Sequence, residues 1–438
     1  MRDSKSVRFS YLRAHWDSLA SIGIRFAAVA LGFLVSVAIG QKLGAVAVGQ
    51  YGIVTQTGML ASIVCVGGLD LSLIRGFAGD REKDRDPATR SFLKVCALVV
   101  ALMIFASFLL WISTKYINDS NLYFNSTDLV FATIIAILFA RGFTRITSSF
   151  LRSQGEYIFS QIVEGPLIPA LILLAIIVGL AADLDAVFVV TAVAGLFACL
   201  LGMASSVRRT SRDGRSVPLR PLIRRAVPLW GVAISKNLGD WYSLAIVAAM
   251  LSLYDAGVFR VVMQVASALP IITIGIFSVY SPKIGLAHAR EDYLEIARLA
   301  RTATALSTFL VLPPAILIIV LAEPVLSLFG GEFTGGAFVL QVLLVGQMLY
   351  VCTGPSGLVL AMTGNEKVNL LLTVSSLIAL LIGLPLAAQY FGLLGVVIAM
   401  SLVLILRNFA SLIAVHRLTG VRILSGRFEP VTAKKAVT

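Results

Sequence analysis

Residues 18–40 read SLASIGIRFAAVALGFLVSVAIG, an apolar run interrupted by a single charge, Arg25. A helix of that length crosses a hydrocarbon core of about 30 Å. The run is too long for the apolar region of a cleaved signal peptide, and no small-residue cleavage site follows, so it reads as a retained helix. Eleven further apolar runs follow, near residues 51–72, 92–113, 128–147, 157–180, 185–206, 228–250, 256–281, 302–321, 337–358, 369–388 and 394–415. Composition agrees. Of the 438 residues, 58% are hydrophobic and 13% are charged, too few charges to cover a soluble surface of this size. Mean hydropathy is +0.92. The expected fold is an all-α membrane protein of about twelve transmembrane helices.

The segments between the runs sort by charge. Odd-numbered connections hold only Lys42 and Lys115 as basic residues, together with Asp119, Asp183, Asp255, Glu323 and Glu332. Even-numbered connections and both tails are basic. Arg75, Arg81, Lys83, Arg85 and Arg90 occupy the second connection, and Arg208, Arg209, Arg212, Arg215, Arg220, Arg224 and Arg225 the central one. The positive-inside rule then puts both termini in the cytoplasm of a multi-pass inner-membrane protein. Most of the net charge of +13 is explained this way, and its dispersal over membrane-flanking loops argues against a nucleic-acid partner.

The chain also resembles itself at an offset of roughly 208–210 residues. Gly49-Gln50-Tyr51-Gly52-Ile53-Val54-Thr55-Gln56 aligns with Gly257-Val258-Phe259-Arg260-Val261-Val262-Met263-Gln264, Leu151 to Gly155 with Leu360 to Gly364, and Leu184-Asp185-Ala186-Val187 with Leu394-Gly395-Val396-Val397. A repeat of six helices preserves topology, so two six-helix bundles related by a pseudo-twofold axis along the membrane normal are expected. The expected organisation is a bundle over 1–206, a basic cytoplasmic linker over 207–227, a second bundle over 228–415 and a basic cytoplasmic tail over 416–438. Alternating access at a site between the bundles follows from such a design.

Ionisable groups inside the spans cost roughly 2.5–3.5 kcal/mol each and need a reason. Ser18, Ser21, Arg25, Gly32 and Ser36 share one face of the first helix; Lys236, Asp240 and Ser243 share a face of the seventh; Arg260, Gln264 and Ser267 form a stripe on the eighth. Arg141 and Arg145 sit toward one end of the fourth helix. Guanidinium and ammonium groups lining a wet cavity would hold phosphate, which makes Arg25, Lys236, Arg260, Gln264, Arg141 and Arg145 the candidate substrate-binding residues. Asp240 and Glu164 are candidate ion-coupling groups or charge partners, pairing Lys236 with Asp240 and Arg145 with Glu164. Arg407 is expected to snorkel, the segment 291–301 to form a surface helix, and Gly354-Pro355-Ser356-Gly357 to bend its helix. The four cysteines lie in apolar runs and the three histidines lack ligand spacing, so neither a disulfide framework nor a metal site is expected. No nucleophile–base pair and no phosphate-binding glycine motif is visible, so no catalytic residue and no cofactor are assigned.

Leu43-Gly44-Ala45 with Gly49-Gln50-Tyr51-Gly52, the stretch Gly67-Gly68-Leu69-Asp70-Leu71-Ser72-Leu73-Ile74-Arg75, Ser327-Leu328-Phe329-Gly330-Gly331-Glu332-Phe333, and Met362-Thr363-Gly364-Asn365-Glu366-Lys367 together resemble bacterial polysaccharide flippases of the O-antigen transporter type. These are related to multidrug-and-toxin-extrusion transporters and lipid II flippases. The resemblance implies an undecaprenyl-pyrophosphate-linked oligosaccharide carried from the cytoplasmic to the periplasmic leaflet, with Arg25, Lys236 and Arg260 in the cationic role. The partners it implies are the lipid-linked glycan, membrane lipids, and a polysaccharide polymerase and glycosyltransferases of the same pathway. Two other readings stand beside it: a drug/cation antiporter on the same fold, which needs buried carboxylates, and a polysaccharide polymerase or ligase, which needs a large external domain.

Overall fold

The computed structural model describes residues 3–81, 89–117, 127–211 and 218–429, and the expected basic groups at Lys83, Arg85, Arg212, Arg215, Lys434 and Lys435 lie outside them. The described chain is almost wholly helical: α1 (Asp3–Val66), α2 (Leu69–Arg81), α3 (Thr89–Ile117), α4 (Thr127–Ser153), α5 (Tyr157–Glu164), α6 (Leu167–Val178), α7 (Leu184–Val207), α8 (Leu219–Met250), α9 (Leu253–Ala266), α10 (Ala268–Ala289), α11 (Tyr293–Val320), α12 (Ala322–Ser327), α13 (Ala337–Cys352), α14 (Ser356–Met362) and α15 (Glu366–Thr419). A short 3₁₀ turn, Gly331–Gly336, precedes α13, and an antiparallel pair, β1 (Val421–Arg422) and β2 (Arg427–Phe428), follows α15. Among the described residues eight helices are long and apolar enough to cross a membrane, and up to nine if the bent pair α5–α6 is one span. Their outward faces carry side chains such as Phe309, Val320 and Phe391, each more than 70% exposed, a surface suited to lipid.

Two of these helices are too long for one crossing, and each contains a single glycine that breaks it. In α1 the break is Gly44 (φ 81°), in α15 Gly392 (φ 59°). Both have a positive φ that a Cβ disfavours, so one residue kinks the chain and helix resumes at once. The connections expected over 41–50 and 389–393 are therefore helical on both sides of one glycine. Other expectations shift similarly. The eighth apolar run divides at Ser267 into α9 and α10, and the surface helix expected over 291–301 is the first part of α11, with Ile296, Ala297 and Ala300 buried. The bend expected at Gly354-Pro355 is present as the gap between α13 and α14, and a 48° break separates α5 from α6.

By contacts the chain divides into one unit of Met1–Leu43 with Gln50–Trp241 and another of Gly44–Gly49 with Tyr242–Thr438. In the first, α4 packs on α2, α3 and α7, and Phe77, Phe92 and Phe150 meet at ring distances of 4.5–5.5 Å. The start of α8 belongs here: Ser72 Oγ donates to the Leu222 carbonyl at 2.7 Å, and Trp230 Nε1 to that of Val64 at 3.2 Å. In the second unit α10 packs on α11, and α13 and α14 on α15.

The repeat has a structural signature. Gly155 (φ 83°) follows α4 and Gly364 (φ 77°) follows α14, the aligned glycines of the sequence comparison. After each, the same bond closes the helix end, Glu156 N–H to Leu151 O at 3.0 Å and Asn365 N–H to Leu360 O at 2.9 Å. The aligned pair Gly49 and Gly257 also meets inside the second unit. A Cβ on Gly49 would strike the Leu253 carbonyl, and one on Gly257 the Ala45 carbonyl, a reciprocal contact between equivalent residues. The helix starts there are capped differently. Ser252 caps α9 by accepting from Asp255 N–H at 2.9 Å, whereas its counterpart Gly44 has no side chain. Glu332 Oε2 supplies the missing acceptor, taking the Ala45 N–H at 2.8 Å.

Removing this cap should be measurable. Glu332→Ala is expected to destabilise the purified protein by about 1.5–3 kcal/mol, the range for a charged hydrogen bond, and Glu332→Gln to recover part of it. Thermal unfolding in detergent checks this; equal midpoints for all three proteins would remove the cap from the account.

Candidate functional site

The expected charged residues fall into two groups. Arg141, Arg145 and Arg152 recur on one face of α4 at helical spacing. Arg145 pairs with Asp70 at the start of α2: Nε donates to Oδ2 at 3.3 Å, and Nη2 lies 3.2 Å from the same oxygen. Arg152 pairs with Glu164 at the end of α5. The expected Arg145–Glu164 pair is thus replaced by two pairs, because α4 runs to Ser153 and brings a further arginine beneath Glu164. Arg152 and Asp70 were not among the expected site residues. The signal for Arg152 was available, since it continues the Arg141–Arg145 face once the helix is extended.

Arg141 has a different task. The chain breaks at Gly165-Pro166, where proline has no N–H to offer the preceding turn. Arg141 Nη1 donates to the Glu164 carbonyl at 3.1 Å, taking an acceptor at the end of α5. A guanidinium at a helix C-terminus is also favoured by the helix dipole. Arg25 on α1 is exposed and is an electrostatic neighbour of Arg152. One turn away, Ser21 Oγ accepts from Gln161 Nε2 at 2.7 Å, tying this face of α1 to α5. Arg25, Arg141, Arg145 and Arg152 therefore share the first unit with two carboxylates, Asp70 and Glu164, leaving an excess of positive charge on these residues.

The second group is less concentrated. Arg260 and Gln264 are partly buried, one turn apart on α9, and Gln264 Oε1 is buried with no hydrogen-bond partner among the described residues. Asp240 is exposed on α8. The side chain of Lys236 lies outside the described residues, and with it the expected Lys236–Asp240 pair. Arg407 does not simply extend outward: its Nη2 donates to Thr373 Oγ1 at 3.0 Å across the two halves of α15. Among the described residues no group of three or more His, Cys, Asp or Glu side chains could hold a metal ion.

Solved structures of similar shape include an inward-facing multidrug resistance MATE family transporter of the MOP superfamily, at TM-score 0.69 and 14% identity, covering 93% of this chain and 97% of that one. The lipid II flippase MurJ in an inward closed conformation superposes at TM-score 0.65 and 11% identity, covering 91% and 87%. A MOP superfamily transporter from Pyrococcus furiosus, described as having a binding pocket of reverse polarity, does so at 0.60 and 13%, covering 91% and 93%. No curated protein matches the chain. The fold is that of these two-lobed, multi-pass helical membrane transporters. The chain belongs to the polysaccharide biosynthesis protein family, whose profile matches residues 17–288.

The charge pairs give a direct test. Asp70→Ala strands Arg145 in a partly buried site and should cost about 1.5–3 kcal/mol, as for other charged hydrogen bonds. Arg145→Lys should lose part of the same stability, since an ammonium cannot reproduce the two-pronged contact. A double-mutant cycle on unfolding midpoints measures the coupling, and additivity of the two changes would argue against the pair.

Proposed function

We propose that this protein is a flippase that moves an undecaprenyl-pyrophosphate-linked oligosaccharide from the cytoplasmic to the periplasmic leaflet of a bacterial inner membrane. It acts by alternating access through a cationic cavity, with twelve membrane crossings in two six-helix halves (1–206 and 228–415) and both termini in the cytoplasm. Family membership favours a saccharide substrate. The observation that carries the reading is the arginine excess on α1 and α4, because a pyrophosphate needs several cations at once.

The residues divide the work. Arg25, exposed beside the cluster, makes first contact with the pyrophosphate. Arg145 and Arg152 follow, each exchanging part of its bond to Asp70 or Glu164 for a phosphate oxygen, so binding substrate loosens the contacts that α4 makes with α2 and α5. Arg141 keeps its hold on the α5 break and acts on position only. Lys236, Arg260 and Gln264 serve the glycan or the second phosphate, and Asp240 balances the charge of α8. The polyprenyl chain stays in lipid, and the chain performs no covalent chemistry. A drug/cation antiporter would want unpaired carboxylates, whereas Asp70 and Glu164 are both held by arginines.

The test is transport. Proteoliposomes carrying the full chain should equilibrate a labelled polyprenyl-pyrophosphate oligosaccharide between leaflets. Arg25→Ala and Arg152→Ala should each slow this at least about tenfold, the loss expected from one charged phosphate contact. Arg25→Lys should retain part of the rate. Flipping by the alanine variants at the wild-type rate, or cation-driven drug efflux without lipid flipping, would overturn the reading.

A further inference from the structure

The second unit contains a cavity of about 300 Å³ between α10, α13, α14 and α15 that the proposed transport route does not use. Six residues define its chemistry: Tyr350, Gly357, Asn369, Arg407, Asn408 and Ser411. Two of them are already committed. Asn408 donates to the Tyr350 carbonyl at 3.2 Å and to Thr353, and accepts from Ser356 Oγ at 2.8 Å; Ser411 Oγ donates to the Arg407 carbonyl at 3.0 Å. They build a fixed wall. Arg407, Asn369 and Tyr350 supply the reactive lining.

Each of the first two is incompletely matched. Arg407 has a neutral partner, Thr373, and among the described residues no carboxylate lies within ion-pair distance of it. Among the described residues no acidic side chain lines the cavity. A guanidinium among membrane helices whose neighbours among the described residues are neutral, Thr373 and Tyr350, favours an anion beside it. Asn369 Oδ1 is buried with no hydrogen-bond partner among the described residues, so the same space calls for a donor. Gly357 lies against that oxygen: a Cβ there would sit 3.2 Å from Asn369 Oδ1. The volume is at the small end of ligand sites, which run from about 300 Å³ upward.

We infer that this cavity binds a hydroxyl-bearing phosphate, its anionic oxygens on Arg407 and its hydroxyl on Asn369. Two sources carry that chemistry: inorganic hydrogen phosphate, and the phosphoglycerol headgroup of a phosphatidylglycerol molecule entering from the bilayer. A metal cation is disfavoured by Arg407, and a neutral sugar would leave its charge unanswered.

The experiment uses the full chain, delipidated in a neutral detergent. Inorganic phosphate binding is followed by calorimetry, with sulfate as a control lacking the hydroxyl at neutral pH. Retention of phosphatidylglycerol is followed by native mass spectrometry, with phosphatidylcholine as a phosphate-bearing control without a headgroup hydroxyl. Binding of either hydroxyl-bearing probe is expected, tighter than its control, and weakened at least about tenfold by Arg407→Gln, a loss typical of one charged contact. Phosphate alone or phosphatidylglycerol alone identifies the source. Gly357→Val, which keeps every polar group but fills the space before Asn369, should also abolish binding and provides a second variant if Arg407→Gln does not fold. Overturning results are no binding of either probe to the wild type, controls bound as tightly as the probes, or unchanged binding by the Arg407 or Gly357 variant.

Discussion

A helix that ends inside a membrane leaves carbonyls and N–H groups that hydrocarbon cannot solvate, and this protein ends or breaks helices repeatedly within its spans. Several of its polar side chains are spent on that problem. Arg141 takes the carbonyl at the end of α5, Lys42 that of Ile176 near the end of α6, Gln341 that of Ile319 near the end of α11, and Asn408 that of Tyr350 near the end of α13. Trp230 does the same for Val64, near the end of α1. At a helix start the sign reverses and an acid does the work, as Glu332 does for Ala45. Donors at C-termini and acceptors at N-termini match the helix dipole as well as the unpaired groups.

This separates structural charge from charge available to a ligand. Arg141 and Lys42 hold backbone, and Arg145 and Arg152 hold carboxylates whose oxygens a phosphate can replace. Only a cation whose neighbours are exchangeable can bind a passing anion without opening the fold. The proposed transport role therefore rests on Arg25, Arg145 and Arg152 more than on the count of arginines.

Long apolar helices were legible because hydropathy reports them directly, although among the described residues eight helices, or nine with the α5–α6 pair, are long and apolar enough to cross. Partners were less legible. The fourth apolar run is bounded at residue 147, where Thr147-Ser148-Ser149 lowers the hydropathy, and this leaves Arg152 outside it. In the structure Thr147 Oγ1 returns to the Phe143 carbonyl at 2.8 Å and Ser148 Oγ reaches that of Ser160 at 2.9 Å, so the hydroxyls are satisfied and α4 continues. Glu332 reads as a loop acid because its contact with Ala45 joins residues far apart in the chain. The break at Gly44 reads as a loop because glutamine, lysine and glycines surround it, although one glycine with a positive φ is enough to kink the helix.

The reciprocal meeting of Gly49 and Gly257 has a consequence for how the two copies age. Each lies against carbonyl backbone from the other copy, and backbone does not change when side chains do. After a duplication most equivalent positions drift apart, but here a larger residue in either copy has no compensating substitution available in its counterpart. The pair is held at glycine from both sides for as long as the two helices meet there.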